Sequence, residues 1–160
     1  MGRPPRILAL SSGGGHWVEL LRLAPAFVGC EVHYATTSAE SAQQAWDAAE
    51  ETGQQRPGFH SFSDANRWRP LRLLRQAIQL SVLILRVRPD LIITTGAAAG
   101  YIAVRLGRLV GARTLWIDSL ANVDELSMSG QRAGPHANLW LTQWPELARP
   151  EGPHCKGRVL

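Results

Sequence analysis

The sequence predicts an α/β protein with a parallel β-sheet covered by helices on both faces. Short apolar stretches alternate along the chain with segments whose apolar residues recur at helical spacing. The apolar stretches show little polar alternation, which is typical of strands buried on both faces. The segments between them are mostly a dozen residues or longer, as the crossover between parallel strands requires. Together these observations indicate a Rossmann-like domain.

Five strands and four intervening helices account for most of the chain. The strands are predicted at residues 6–11, 31–36, 90–94, 113–117 and 138–142. The helices are predicted at residues 16–27, 39–51, 71–88 and 98–110. The stretch "TGQQRPG" (52–58) is predicted to be a surface loop, and the Pro- and Gly-rich residues 150–157 a boundary.

Composition limits the size and setting of the protein. With 160 residues and 45% hydrophobic content, the sequence suffices for one domain, residues 1–160, and not for two. The net charge of +4 suits phosphate-bearing ligands, acidic membranes or nucleic acid. No nucleic-acid reader module is recognisable, so no nucleic-acid partner is expected. Only two cysteines favour a reducing compartment, and neither a signal peptide nor a membrane-spanning run is expected.

Three glycines follow the first predicted strand, in "SSGGGHW". This loop lies at the carboxyl edge of the predicted sheet, where ligands bind. Residues without Cβ atoms let backbone N–H groups approach a ligand, and the following helix adds unpaired donors. The alternative is a tight turn with no ligand. We predict a phosphate or diphosphate site formed by Ser12, Gly13, Gly14 and Gly15.

Other phosphate compounds fit this loop less well. His16 and Trp17 stand where a Walker loop needs Lys and Ser or Thr. A dinucleotide site needs an acid at the end of the second strand, but residues 34–38 contain none and Glu40 comes late, which leaves NAD as an alternative. The remaining histidines share no metal-ligand spacing, so neither a metal nor a cofactor is predicted.

A second loop, "TTGAAAG", follows the third predicted strand. Thr95 and Gly96 are predicted to flank the same ligand as the first loop. The small residues at 97–100 either contact that ligand or let the next helix pack closely on the sheet.

Three segments, in this order, resemble a known family: "SSGGGHWVELLRL", "PDLIITTGAAAGYIAVRLGRLVGARTLWIDS" and "ANLWLTQWPEL". The chain resembles the membrane-recruiting subunit of the two-part UDP-N-acetylglucosamine transferase of lipid-linked oligosaccharide synthesis. It is even more similar to bacterial counterparts in capsule and exopolysaccharide synthesis.

The resemblance implies the N-terminal half of a GT-B glycosyltransferase. A partner subunit would then supply the other half, which holds most of the UDP-sugar site, and the chain would be inactive alone. A lipid-linked diphosphate would be the acceptor. The expected location is cytoplasmic, peripheral on the inner face of the cell membrane. A single Rossmann-like domain agrees with this, because a GT-B active site lies between two.

The chain departs from the family pattern at two points. Asn122 stands where members often carry an Arg after "IDS", so a phosphate contact is either weaker or made by Arg132. The membrane segment that precedes the domain in eukaryotic relatives is not found in this sequence.

His16 and Asp118 are the two candidate catalytic bases. Inverting glycosyl transfer needs a base for the acceptor hydroxyl, and an imidazole of near-neutral pKa suits that role. His16 is otherwise a phosphate contact or a helix cap. Asp118, at the end of a predicted strand, is otherwise a loop-capping carboxylate. Glu19 lies one turn after His16, where it either orients the imidazole or is solvated.

The helix at 71–88 combines a wide apolar face with an arc of polar residues: Arg72, Arg75, Gln76, Gln79 and Arg86. Such a helix either lies in a membrane interface or packs on the sheet with a solvated arginine edge. Trp68 precedes it, and Trp favours the headgroup region. Trp68, Arg72 and Arg75 are therefore the predicted membrane contacts.

Three functions remain open from the sequence. The first is a glycosyltransferase subunit that binds the acceptor, and the second is a non-catalytic anchor that positions its partner. The third is a free-standing nucleotide-binding protein. For the first two, residues 143–160 are the predicted partner-docking tail, with Trp144, Pro145, Val159 and Leu160 expected to be exposed.

Overall fold

Seven strands form one parallel sheet with the first strand near its centre. The computed structural model describes residues 2–65 and 68–159. The strand order is β3-β2-β1-β4-β5-β6-β7, and each neighbouring pair is parallel. The predicted parallel α/β sheet is therefore confirmed. The strands are β1 (Arg6–Leu10), β2 (Glu31–Thr36), β3 (Gly58–Ser61), β4 (Leu91–Thr94), β5 (Arg113–Ile117), β6 (Leu139–Thr142) and β7 (His154–Cys155).

Helices cover both faces of the sheet, as predicted. They are α1 (Gly15–Leu21), α2 (Ala42–Glu51), α3 (Pro70–Val87), α4 (Ala97–Leu109) and α5 (Met128–Ala133).

Alternate residues of β1 point to opposite cores, because side chains alternate along a strand. Ile7 and Ala9 pack in one cluster with residues of α1 and α2, and Leu8 and Leu10 pack in another with residues of α3 and α4. Both faces of β1 are therefore buried, which explains its continuous apolar sequence.

The predicted helix at 16–27 is too long. Helix α1 ends at Leu21, and a separate 3-10 turn covers Ala24–Phe27. Pro25 lies in the first turn of that 3-10 segment, where a proline lacks the N–H that a continuing α-helix needs. The helix predicted at 39–51 likewise begins as a 3-10 turn, Ala39–Ser41, before α2.

Three elements were missed because they are too short for a periodic pattern. The loop predicted at 52–58 ends in the edge strand β3, which starts at Gly58. The boundary predicted at 150–157 is wrong, since this stretch contains β7, whose His154 pairs with Leu141 of β6. Helix α5 lies in a stretch predicted as loop.

The strand order marks one point at the carboxyl edge of the sheet as a candidate ligand site. The order reverses between β1 and β4, which are direct neighbours. Helix α1 leaves β1 on one face and α4 leaves β4 on the other, as the two core clusters show. The loops at this edge therefore diverge, and this reversal point is where ligands bind in open α/β sheets. Both predicted glycine loops lie there.

Candidate functional site

The first glycine loop leaves open space above its backbone. Gly14 adopts φ 72° and ψ −140°, a conformation that residues with side chains rarely take. A Cβ at Gly14 or Gly15 would meet no atom within 4 Å. The Gly13 amide, in contrast, donates to Thr37 Oγ1 at 3.1 Å. The loop is thus anchored at Gly13 and accessible at the next two glycines, and Ser12 beside them is half-buried.

The second loop contacts the first directly through His16. The His16 ring Nδ1 lies 2.8 Å from the carbonyl oxygen of Thr95. Thr95 Oγ1 in turn donates to the carbonyl oxygen of His16 at 2.6 Å. A Cβ at Gly96 would lie 3.0 Å from His16 Cε1, so the missing side chain leaves room for the imidazole. The two loops therefore lie side by side, and a ligand shared between them stays a prediction.

The carbonyl partner fixes the tautomer of a neutral His16 ring. A backbone carbonyl only accepts hydrogen bonds, so Nδ1 must carry the proton and donate to Thr95. Nε2 then holds a lone pair. The half-buried ring can thus accept a proton at Nε2 while its orientation stays fixed at Nδ1.

The small residues that follow Gly96 serve packing at Gly100. A side chain at Gly100 would overlap Thr94 Oγ1, and its Cβ would lie 3.1 Å from the Trp116 ring. Ala99 and Gly100 are buried, whereas Ala97 and Ala98 are half-buried. Close packing of α4 on the sheet therefore explains Gly100. The first amides of α4 have no helical acceptor and lie next to Gly96.

Asp118 is buried and organises the loop that follows β5. Its Oδ2 accepts from the Ser127 amide at 2.8 Å, and its Oδ1 accepts from Ser127 Oγ at 2.6 Å and from Asn122 Nδ2 at 3.2 Å. Ser127 Oγ also accepts from the Gly130 amide and so caps α5. These bonds support the loop-capping alternative, and a role of Asp118 as base stays a prediction. Arg132 is exposed on α5.

The Glu19 carboxylate bonds to residues other than His16, and it is not solvated. Its side chain is 7% exposed, and its Oε1 accepts from Ser119 Oγ at 2.7 Å and from the Leu120 amide at 3.2 Å. Its Oε2 accepts from Gln143 Nε2 at 3.2 Å. The expected contact with the imidazole is not made, because α1 directs the Glu19 side chain towards the loops that follow β5 and β6. Gln143 was missed altogether, since no periodicity marks a buried glutamine.

Trp144 and Val159 are half-buried, contrary to expectation. Trp144 Nε1 donates to the Leu120 carbonyl oxygen at 2.9 Å, and the Arg158 guanidinium lies 4.2 Å from its ring centre. The Val159 amide donates to Gln143 Oε1 at 2.7 Å. The predicted tail therefore folds onto the domain, although Pro145 is exposed as expected. Leu160 lies outside the described residues.

Helix α3 has two apolar sides that face opposite directions. One side packs on the sheet through Gln76, Leu80, Leu83, Ile84 and Val87. The other carries a stripe that is 55% to 81% exposed, which we call the α3 stripe and which comprises Leu71, Leu74, Ile78, Val82 and Leu85. At 100° per residue the stripe spans an arc of about 80°, nearly opposite the buried side.

The arginines of α3 lie along one edge of the α3 stripe. Arg72, Arg75 and Arg86 are exposed, and Trp68 before the helix is 76% exposed. Within the predicted polar arc, Gln76 is buried, and Gln76 and Gln79 form hydrogen bonds with the backbone of Ser63. One side of α3 therefore packs in the core, and a membrane contact of the exposed side stays a prediction. No helix in the described part of the chain is both long and apolar enough to cross a membrane.

Residues 2–65 and 68–159 contain no group of three or more His, Cys, Asp or Glu side chains placed to hold a metal ion. His33 and His60 are close to each other, with 3.1 Å between Nδ1 and Nε2, but they form a hydrogen bond that continues to Glu31.

Sheet order, helix placement and the paired glycine loops define a Rossmann-like domain of the kind that forms the N-terminal half of GT-B glycosyltransferases. The structure is similar to MurG from Acinetobacter baumannii, with a TM-score of 0.75 at 14% identity, over 98% of this chain and 46% of that enzyme. It is also similar to the UDP-GlcNAc 2-epimerase of Methanocaldococcus jannaschii, with a TM-score of 0.60 at 10% identity, over 86% of this chain and 39% of the epimerase.

The chain belongs to the family of Alg14-like oligosaccharide biosynthesis proteins, whose model matches residues 7–155. Two relatives bear the name UDP-N-acetylglucosamine transferase subunit ALG14. The one from Yarrowia lipolytica is 30% identical over 49% of this chain and 41% of its own length. The one from Eremothecium gossypii is 24% identical over 92% of this chain and 76% of its own length. The match therefore covers less than half of the length of the Yarrowia lipolytica relative.

Proposed function

We propose that this chain is the acceptor-binding half of a two-chain glycosyltransferase, with a partner subunit that carries the UDP-sugar site. The observation that carries this proposal is the His16 site at the reversal point of a fold that matches 46% of MurG. A cleft between two domains needs a second half, and the described chain forms one sheet. The names of the relatives make UDP-N-acetylglucosamine the first donor to test.

The proposed acceptor is a lipid-linked diphosphate held at the two glycine loops. Gly14 and Gly15 leave their backbone accessible, and the N-terminus of the 13-residue helix α4 lies at Gly96 beside them. Backbone amides and a positive helix end favour an anion. Ser12, Gly13 and Thr95 would support this cradle from its sides.

His16 is the proposed base. The acceptor hydroxyl oxygen attacks the anomeric carbon of the sugar, and its proton passes to His16 Nε2. The bond from that carbon to the UDP oxygen breaks, and UDP leaves with the electron pair. Thr95 supports this step because its carbonyl holds the Nδ1 proton and the ring orientation. Asp118 remains the second candidate, although loop residues occupy both of its oxygens.

The α3 stripe is proposed to lie in the membrane interface on the cytoplasmic side. Residues 68–89 contain arginines at 69, 72, 75, 86 and 88 and no Asp or Glu. Apolar side chains between arginines suit the boundary between acyl chains and anionic headgroups. Trp68, Arg72 and Arg75 are the proposed membrane contacts. A peripheral position there brings the glycine loops to a lipid-linked acceptor.

The α3 stripe also favours the second candidate, a non-catalytic anchor that recruits its partner. The two candidates differ in whether His16 takes part in transfer. A role in bacterial capsule or exopolysaccharide synthesis stays a prediction, because the named relatives are eukaryotic.

The test is transfer from UDP-N-acetylglucosamine to a synthetic polyprenyl-diphosphate sugar. The chain, a candidate partner encoded by a neighbouring gene and the assembled pair are assayed separately. We expect product only from the pair. Robust transfer by the single chain would refute the proposal. An assembled His16→Ala pair with full activity would point to the anchor or to Asp118.

A further inference from the structure

Gln143 links the 156–159 segment to helix α1 with every polar atom of its side chain. Its side chain is 1% exposed. Nε2 donates to Glu19 Oε2 at 3.2 Å and to the Asp118 carbonyl oxygen at 3.0 Å, and Oε1 accepts from the Val159 amide at 2.7 Å. Two acceptors on one side and one donor on the other permit a single amide orientation. Gln143 therefore transmits the position of Val159 to Glu19.

We propose that Glu19 is a positioning residue that couples the 156–159 segment to His16. Glu19 lies three residues after His16 on α1, so fixing its carboxylate fixes the rotation of the turn that holds the imidazole. The end of α1 is tied to the same segment, because Arg22 donates to the Val159 carbonyl oxygen at 3.3 Å. Seating of the segment and placement of His16 then depend on each other.

The carboxylate is essential to this coupling because all of its protein partners are donors. Ser119 Oγ and the Leu120 amide donate to one oxygen, and Gln143 donates to the other. In Glu19→Gln, an amide nitrogen must face either Gln143 Nε2 or the Leu120 amide. Both arrangements set a donor against a donor in a buried place, which is costly. If Gln143 turns to relieve the clash, its own nitrogen faces the Val159 amide.

The consequence for catalysis rests on the proposed function. A partner that docks on residues 143–160 would contact the segment whose hydrogen bonds hold α1 in place. Partner binding would then adjust His16 through Gln143 and Glu19. The coupling itself is a property of this chain and is measurable without a partner or a transfer assay.

The experiment compares the full chain with Glu19→Gln, Glu19→Gln/Gln143→Glu and the control Glu51→Gln by NMR. Glu51 is exposed on α2, so its variant removes one charge without touching the network. Amide exchange is measured at Val159 and in the edge strand β3, and the ring ¹⁵N chemical shifts are measured at His16. In the double variant the carboxylate at 143 can accept from the amide at 19 and from Val159, but one of its oxygens then faces the Asp118 carbonyl oxygen with no proton between them, which limits the recovery.

We expect Glu19→Gln to exchange Val159 about tenfold faster or more and to shift the His16 ring signals, because a buried donor lost its acceptor. Exchange in the edge strand β3 should stay within about twofold, since the Glu19 network is the same in the closed and the locally opened state of that strand. The double variant should recover part of the protection at Val159, and Glu51→Gln should match the unchanged chain.

Unchanged exchange at Val159 in Glu19→Gln would overturn the coupling. An equal rise at Val159 and in β3 with no recovery in the double variant would also overturn it, by showing that the whole domain has loosened. Altered exchange with unmoved His16 signals would limit Glu19 to holding the segment and so reject its positioning role. In an active pair, we expect Glu19→Gln to lower kcat more than it changes the acceptor KM.

Discussion

His16 and Thr95 are joined by two hydrogen bonds that run in opposite directions. The ring Nδ1 donates to the Thr95 carbonyl oxygen at 2.8 Å, and Thr95 Oγ1 donates to the His16 carbonyl oxygen at 2.6 Å. One bond fixes the side chain of His16 and the other fixes its backbone. Because the two residues follow neighbouring strands, the pair holds the two glycine loops at one distance across the reversal point of the sheet.

Removing the imidazole should mainly slow transfer. We expect His16→Ala to lower kcat of the assembled pair by ~10²- to 10⁴-fold, as for a lost general base, with little change in the acceptor KM. His16→Asn is the matched control, since its amide nitrogen takes the place of Nδ1 and can still donate to Thr95, but it has no basic nitrogen. Steady-state kinetics with saturating acceptor measure both variants.

Equal losses in His16→Ala and His16→Asn support the base. Recovery of activity in His16→Asn would assign His16 to positioning instead. Near-normal turnover in both would direct attention to Asp118. Asp118→Asn must be checked for folding first, because its amide nitrogen would face either the Ser127 amide or Asn122.

Substitutions at Gly14 and Gly15 should distinguish the effect of backbone strain from the obstruction of a ligand. Gly14→Val must adopt φ 72°, which costs on the order of 1–3 kcal/mol of folding stability. Gly15 needs no positive φ and has open space, so Gly15→Val should change the urea midpoint little. Both variants should raise the acceptor KM if the diphosphate approaches this backbone. A normal acceptor KM in Gly15→Val would place the diphosphate elsewhere.

Vesicle binding should depend on the arginines beside the α3 stripe. Arg72→Glu/Arg75→Glu should weaken sedimentation with anionic vesicles at low salt by roughly 30-fold or more, at about 1 kcal/mol for each lost arginine. Arg56→Glu/Arg149→Glu makes the same charge change at exposed sites outside α3 and should bind almost normally. Binding of the unchanged chain should fall as salt rises.

The apolar part of this contact is tested by Ile78→Ser/Val82→Ser, which alters only exposed positions of α3. We expect this variant to bind vesicles more weakly than the unchanged chain does at the same salt concentration. Its urea midpoint should be unchanged. Normal sedimentation of both α3 variants would reject the membrane contact and leave the α3 stripe to another partner.

The folded protein should lose stability between pH 7.5 and 5.5 partly through His60. Burial, with His33 and Arg86 nearby, lowers the pKa of His60 below its ordinary value of 6.5. The unfolded chain therefore binds this proton at a higher pH than the folded chain does. Stability is retained above about pH 6.5 and falls as the pH decreases below it.

His60→Gln should reduce this pH dependence, because its amide can still donate to His33 Nδ1 but does not titrate. Urea midpoints at the two pH values measure the difference. Glu31 and Asp90, whose pKa values are lowered by hydrogen bonds from His33 and Arg3 respectively, titrate below this range. An identical slope in His60→Gln would show that other groups cause the loss.

Local sequence patterns sufficed for the elements that are long or buried on both sides. Helix α4 begins and ends within one residue of its predicted bounds, because its small residues and apolar spacing act within the helix itself. The same holds for β2 and β5. In contrast, β7 has two residues and exists only because β6 offers hydrogen-bonding partners.

For the candidate site, too, the sequence determined some features and the tertiary structure determined others. The sequence by itself determined the two glycine loops and His16, because glycines after an apolar strand restrict where a backbone can accept a ligand. Tertiary structure alone decided that Glu19 bonds to Ser119 and Gln143, and that α3 exposes an apolar stripe. Those outcomes depend on which neighbours the fold brings within hydrogen-bond distance and on how α3 rotates against the sheet. Residue spacing along one segment carries no information about either.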